Sequence, residues 1–132
     1  MIGLDTNILV RYITQDDPEQ AARANRLIED RCTSATPGRV ANIVLCELVW
    51  VLRRAYGYGK PQVVSVLEQI LVTAELEVED EGLAFQVLDA YREGSADFSD
   101  YLLALSNRAA GCETTYSFDT RLCVHPAASL PE

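Results

Sequence analysis

Ile2-Gly3-Leu4-Asp5-Thr6-Asn7-Ile8-Leu9-Val10 is the stretch on which the reading of this chain turns. A short apolar start runs into Asp5-Thr6-Asn7, and an apolar-periodic segment follows from Ile8 to Tyr12. That order reads as strand, turn and helix, with an acid at the junction. In open parallel sheets, ligands gather at the carboxyl ends of the strands, which is where Asp5 falls.

Outward from this segment the pattern repeats. Asp16-Asp17-Pro18-Glu19 is a helix-start signal, with proline at the first helical position and acids beside the positive end of the dipole, and the helix runs to about Asp30. Residues 33–38 read as a loop and residues 39–42 as a short strand. Ile43 to Tyr56 reads as a strongly apolar helix stopped by Gly57 and Gly59, and Lys60-Pro61 opens another, with Val63, Val66, Leu67, Ile70 and Leu71 on one face. Glu75-Leu76-Glu77-Val78-Glu79 alternates with period two, as a half-exposed strand does. Two more helices are predicted over residues 83–91 and along the stripe Phe98, Leu102, Leu105 and Ala109, then a strand over residues 113–117 and a tail with room for one brief strand. Short strands separated by helices predict an α/β domain with helices on both faces of a parallel sheet.

At 132 residues and 48% hydrophobic content, the chain has material for one core, so a single domain over 1–132 is expected. No apolar run is long enough for a membrane span and the N-terminus lacks signal-peptide character, which predicts a cytoplasmic protein. Cys32, Cys46, Cys112 and Cys123 lie far apart with no C-x-x-C, and only His125 is available as a further soft ligand, so reduced packing thiols are expected. The net charge of −9 is unevenly spread. Residues 1–66 carry eight basic against seven acidic side chains, and residues 67–132 carry three against thirteen. A polyanion has to meet the arginine-bearing part of such a chain, whereas a basic partner protein is favoured by its overall charge.

Four acids stand where this layout brings strand ends and helix starts together: Asp5, Glu47, Asp100 and Asp119. Taken singly, Asp5 and Asp119 have the ready alternative of capping the next turn, and Asp97-Phe98-Ser99-Asp100 resembles a capping box. Glu47 is the only charged residue from Ile43 to Leu52, which predicts a buried carboxylate in need of a cation. Packed carboxylates raise one another's pKa unless a cation sits between them. Magnesium, which takes oxygen ligands and keeps several waters, suits such a set and leaves room for a phosphate and an attacking water. Asn7 and Ser117 lie beside these acids and can orient carboxylates or waters, or else bond locally in turns. Arg53 and Arg54 are candidate contacts for RNA phosphates, with the helix C-terminus as the commoner explanation of their charge.

Ile2-Gly-Leu-Asp-Thr-Asn-Ile-Leu-Val10, Glu47-Leu-Val-Trp-Val-Leu-Arg53, Ala96-Asp-Phe-Ser-Asp-Tyr-Leu-Leu-Ala104 and Tyr116-Ser-Phe-Asp-Thr120, in this order and spacing, closely resemble the PIN-domain ribonucleases. Within them the chain looks like a VapC-type toxin of a toxin-antitoxin pair, and the likeness covers nearly the whole length. The resemblance implies an α/β/α sandwich with a central parallel sheet of four to five short strands. It also implies Mg2+- or Mn2+-dependent endoribonuclease activity, a homodimer, and a cognate VapB-type antitoxin whose C-terminal segment covers the acidic cleft. By motif position, Asp5, Glu47, Asp100 and Asp119 match the four metal-binding catalytic acids, Asp97 is the additional acid of the Asp-Phe-x-Asp version, and Asn7 matches Asp-x-Asn. Ser117 stands where threonine or asparagine is often found.

Two other readings fit parts of the pattern. A haloacid-dehalogenase-like phosphatase also places an aspartate after its first strand, but it expects Asp-x-Asp and a nearby lysine, whereas position 7 is Asn7 and the only lysine is Lys60. A catalytically silent PIN-like module would keep the acids as caps and solubilising charge.

Overall fold

The computed structural model describes residues 1–132. Its backbone contacts group into two compact units, Met1–Glu81 and Gly82–Glu132.

The first unit contains three strands, β1 (Ile2–Gly3), β2 (Gly38–Val40) and β3 (Leu76–Val78), paired in parallel in the order β1-β2-β3. Parallel neighbours cannot be joined by a tight turn, so helices carry the crossovers. α1 (Thr6–Thr14) and α2 (Pro18–Arg31) lie between β1 and β2 in sequence, and α3 (Asn42–Arg54) and α4 (Lys60–Val72) between β2 and β3. The start of α2 follows its sequence signal: Asp17 is the N-cap, its Oδ1 accepts from the Gln20 N–H at 3.1 Å, and Pro18 opens the helix. Register sets Gly38 opposite both Ile2 and Leu76. A Cβ at Gly38 would come within 2.7 Å of Leu4 Cδ1 and 2.8 Å of Cys32 Sγ, so any side chain here would have to displace those two packed side chains. Leu9, Val40, Leu45, Leu48, Leu52, Val63 and Leu67 are fully buried, each contributing about 1.5–3 kcal/mol of transfer free energy.

In the second unit, α5 (Glu81–Glu93) and α6 (Phe98–Ala109) are followed by β4 (Thr115–Tyr116), one 3-10 turn at Leu122–Val124 and β5 (Ala128–Ser129). β4 and β5 pair in parallel, with Thr115 opposite Ala128. The predicted helices and parallel pairing are therefore present. The expected single sheet of four to five strands is replaced by a three-stranded sheet and a two-stranded ladder. The strands here are short: residues 113–117 reduce to the two-residue β4, whose partner is the equally short β5, and Ser117 just beyond it donates its N–H to the Ser129 carbonyl at 3.0 Å while its Oγ accepts from the Asp119 N–H at 3.0 Å. No helix is long and apolar enough to cross a membrane. All four cysteines are free; Cys32 is buried, and Cys112 is exposed rather than packed.

The α5–α6 connection is tight for a specific reason. The Ala96 N–H donates to the hydroxyl of buried Tyr101 at 3.2 Å, and that hydroxyl occupies the space a side chain at Gly94 would need. Gly94→Ala should therefore destabilise the protein by about 1–3 kcal/mol through overpacking. The expected readout is a lower urea midpoint at unchanged slope. Tyr101→Phe in the same background should recover part of the loss by removing the colliding oxygen. Equal midpoints for Gly94→Ala and the unsubstituted chain would show that the connection is looser than described.

In the first unit, Asp16 collects hydrogen bonds from the Tyr56 hydroxyl at 2.7 Å and from Thr14 Oγ1 at 2.8 Å, with Arg11 Nη1 at 3.1 Å. These, Tyr56 first, hold its carboxyl down at about 2, below the ordinary 3.8. A depressed carboxylate contributes stability above its unfolded pKa and loses it as pH falls through the folded one, so this network is expected to fail between about pH 4 and pH 2. A carbon-detected NMR titration should place the Asp16 midpoint near 2 and return it toward the usual carboxylate range in Tyr56→Phe.

Candidate functional site

The acids singled out by the sequence fall in both units. In the first, Asp5 caps α1, with extended backbone and Oδ1 accepting from the Thr6 N–H at 2.7 Å; its other oxygen makes no hydrogen bond. Asn7 stands exposed in the first turn of α1. Glu47 lies on α3, which packs against α1.

The sequence predicts Glu47 to be buried in a helix apolar nearly all round, and here the structure corrects it. Val44, Leu45, Leu48, Val49 and Leu52 form the inner face of α3, while Ile43, Glu47 and Trp50 are exposed, Ile43 by 66% and Trp50 by 62%. Positions 43, 47 and 50 recur at helical spacing, so α3 carries an outward stripe that is apolar at two of three positions. A count of apolar residues does not reveal that. Glu47 makes no hydrogen bond or ion pair, and its freedom comes from exposure. Its neighbour Cys46 is the group affected by burial: burial first, then the Glu47 charge, pushes that thiol up to about 11. Arg53 and Arg54 form the exposed last turn of α3, where they complement the helix C-terminus.

In the second unit, Asp97 is the N-cap of α6, and its N–H donates to Asp100 Oδ2 at 3.2 Å, one half of the capping box expected from spacing. Burial lifts the Asp100 carboxyl above its ordinary range. The Asp97 N–H opposes this, the nearby charges of Asp97 and Asp119 add to it, and Arg121 counters them. Asp119 is held below its ordinary value chiefly by the Arg121 guanidinium, whose Nη2 lies 3.2 Å from Oδ2 and Nε 3.4 Å from Oδ1, while the Arg121 N–H also donates to Oδ1 at 2.9 Å. Ser117 supports the same turn through the Asp119 N–H. The second unit thus brings Asp97, Asp100 and Asp119 close enough to feel one another's charge and places one arginine among them.

Arg121 is the residue that the sequence reading missed. Its signal was local, an acid followed by an arginine two positions later, a separation easily dismissed because it matches no helical pair rule. His125, by contrast, behaves as a packing residue: its Nδ1 accepts from the Ala127 N–H at 3.0 Å and its ring meets Tyr101 edge-on at 5.9 Å.

Donor chemistry and donor geometry give different answers about a divalent cation. The candidate residues offer carboxylate, amide and hydroxyl oxygens, the hard set that suits magnesium or manganese. Thr6 Oγ1 and Asn42 Oδ1, at the starts of α1 and α3, are buried with no hydrogen-bond partner and belong to the same class of hard oxygen donors. Yet no group of three or more His, Cys, Asp and Glu side chains is arranged to hold a metal ion. Asp119 is already engaged by Arg121. The residues fit the ion in kind, without forming a closed cage.

Comparison with known proteins adds a family assignment. No curated protein and no solved structure matches this chain. The family model described as PIN domain matches residues 2–127, from β1 to the turn before β5 and across all the candidate acids. On that match the chain belongs to the PIN-domain family.

Proposed function

We propose that this chain is a metal-dependent endoribonuclease, a single PIN domain acting in the cytoplasm as the toxin of a VapBC-type pair. The observation that carries the proposal is the order of Asp5, Glu47, Asp100 and Asp119 within a family match running from residue 2 to residue 127. Asp5, Glu47, Asp100 and Asp119 would hold Mg2+ or Mn2+, with Asp97 as a further acid. Such an ion, when bound, polarises the scissile phosphate and makes its water more acidic. The chain's own residues prepare for this. Asp5 is fixed by its cap bond with one oxygen left over, Glu47 is unencumbered, and Asp100 is destabilised as an anion by burial and by its neighbours. Arg121 keeps Asp119 ionised and oriented, Ser117 steadies the turn that presents Asp119, and Asn7, two residues from Asp5, has its side chain free to orient a bound water.

Two surfaces support the proposed partners. Ile43 and Trp50 on the outer face of α3 offer apolar area of the kind a homodimer covers. In the first unit, a groove of about 810 Å3 is floored by Leu9, Ile28 and Ile70 and edged by Glu29 and Glu75, which suits a basic amphipathic antitoxin segment.

The test separates fold from chemistry. Asp5→Ala removes a helix cap worth about 1 kcal/mol. Asp5→Asn keeps an acceptor and is the cleaner variant. Asp5→Asn and Asp100→Asn should each lower magnesium-dependent RNA cleavage more than about a hundredfold, since loss of a ligand exceeds the roughly 10–100-fold effect of losing its supporting partner. Far-UV circular dichroism should stay unchanged. Full cleavage by either variant would remove the assigned roles.

A silent interaction module is the second reading, favoured by the absence of a preformed metal-holding group. Manganese titration decides between the two. Saturable binding that disappears in Glu47→Gln supports the nuclease, and no binding at millimolar metal supports the module.

A further inference from the structure

A cavity of about 360 Å3 opens in the first unit between α1 and α2, lined by Asn7, Ile8 and Arg11 from one helix and by Gln20, Arg23, Ala24 and Leu27 from the other. Its lining comes from positions that share a face of each helix, one turn apart along α1 and at the 20, 23, 24, 27 spacing along α2. The chain carries twenty acids, yet none lines this cavity. Ile8, Ala24 and Leu27 give it apolar lining; Asn7, Gln20 and two arginines give it polar and cationic lining.

The two arginines are prepared in different ways. Arg11 is fixed: its Nε donates to Gln20 Oε1 at 2.6 Å, and its Nη1 donates to the Tyr56 hydroxyl at 2.8 Å and to Asp16 Oδ1 at 3.1 Å. Its Nη2 has no partner, so a guanidinium edge is held ready with its rotamer entropy already spent. Arg23 is exposed and makes no hydrogen bond or ion pair, so its full charge is uncommitted. Beside them, the Asn7 side chain also has no partner, and the Asn7 N–H is one of the unsatisfied donors of the α1 N-terminus. Asn7 is two residues from Asp5, so the cavity begins where the proposed chemistry would take place.

We infer that this cavity binds one nucleotide of single-stranded RNA next to the bond to be cut. Its phosphate lies against Arg11, Arg23 and Asn7, and its base or ribose against Ile8, Ala24 and Leu27. The inference rests on the ribonuclease reading above and gives that site a substrate-positioning element. The volume, near the lower end of the roughly 300–1,000 Å3 usual for small-ligand pockets, admits one unstacked nucleotide and excludes a duplex. Apolar lining together with uncommitted arginine charge is the pairing that single-stranded RNA requires, because its bases are free to leave the stack while its phosphates demand charge.

The experiment measures binding of a short fluorescein-labelled single-stranded RNA to the full chain by anisotropy, with EDTA present to prevent cleavage, at several salt concentrations. Arg23→Glu should weaken binding about tenfold or more, and Arg23→Ala should reduce the salt slope by about 0.7, the value of one single-strand phosphate contact. Arg26→Glu, an equal change of charge on α2 outside the cavity, should weaken binding less than about threefold. In a parallel NMR titration with a nucleoside 5′-monophosphate, the side-chain amides of Asn7 and Gln20 should shift. Equal losses for Arg23→Glu and Arg26→Glu would reduce the effect to overall charge and overturn the inference, as would unmoved amides. RNA binding that survives Arg23→Glu intact would overturn the cavity while leaving the ribonuclease reading standing. No RNA binding by the unsubstituted chain in EDTA would overturn the inference, while the ribonuclease reading stands or falls on the metal-dependent cleavage assay.

Discussion

Parallel strands of two or three residues are the constraint on which this structure depends. Such strands hold only a few ladder bonds with each neighbour, so they are stable only if the helices between them bury enough apolar surface to fix the backbone. That requirement explains why the first unit's core is made of leucines and valines from α1, α3 and α4. It also places a helix start soon after β1, β2 and β3. A helix start leaves N–H groups in need of acceptors, and a carboxylate there is held by the backbone. Asp5 before α1 and Asp97 and Asp100 at α6 occupy such positions, so the candidate site uses acids that the fold itself can tolerate.

Tolerance and function are not alternatives at these positions. A cap bond engages one carboxylate oxygen and leaves the second available, as at Asp5, where Oδ1 alone accepts from the backbone. The capping interpretation and the metal-ligand interpretation of such an acid therefore describe two atoms of the same group. Asp119 differs, because Arg121 engages both of its oxygens. Any ion binding there has to share Asp119 or displace the guanidinium.

Much of this was readable from residue order. Helix starts with a strong chemical signal, such as Asp17-Pro18, fall where spacing places them, and so do the helix over residues 60–72 and the parallel pairing of β1, β2 and β3. What could not be read was directional. The apolar content of residues 43–52 is real, but its division between an inner face and an outer stripe depends on what α3 packs against, and composition does not contain that. Strand pairing beyond β3 was equally hidden, since a run of β-forming residues such as 113–117 does not say which partner its backbone meets. The arginine networks went unseen for a related reason. Arg11 reaches Tyr56, forty-five positions away, and sequence spacing is silent about contacts of that range.

The arginine among the acids of the second unit has a consequence for how the protein comes into being. Because Arg121 sits two positions from Asp119 in the chain and also faces the charges of Asp97 and Asp100, the counter-ion arrives with the polypeptide itself. The nascent unit therefore carries part of the positive charge that its acids call for, and their mutual repulsion is reduced before any external cation arrives.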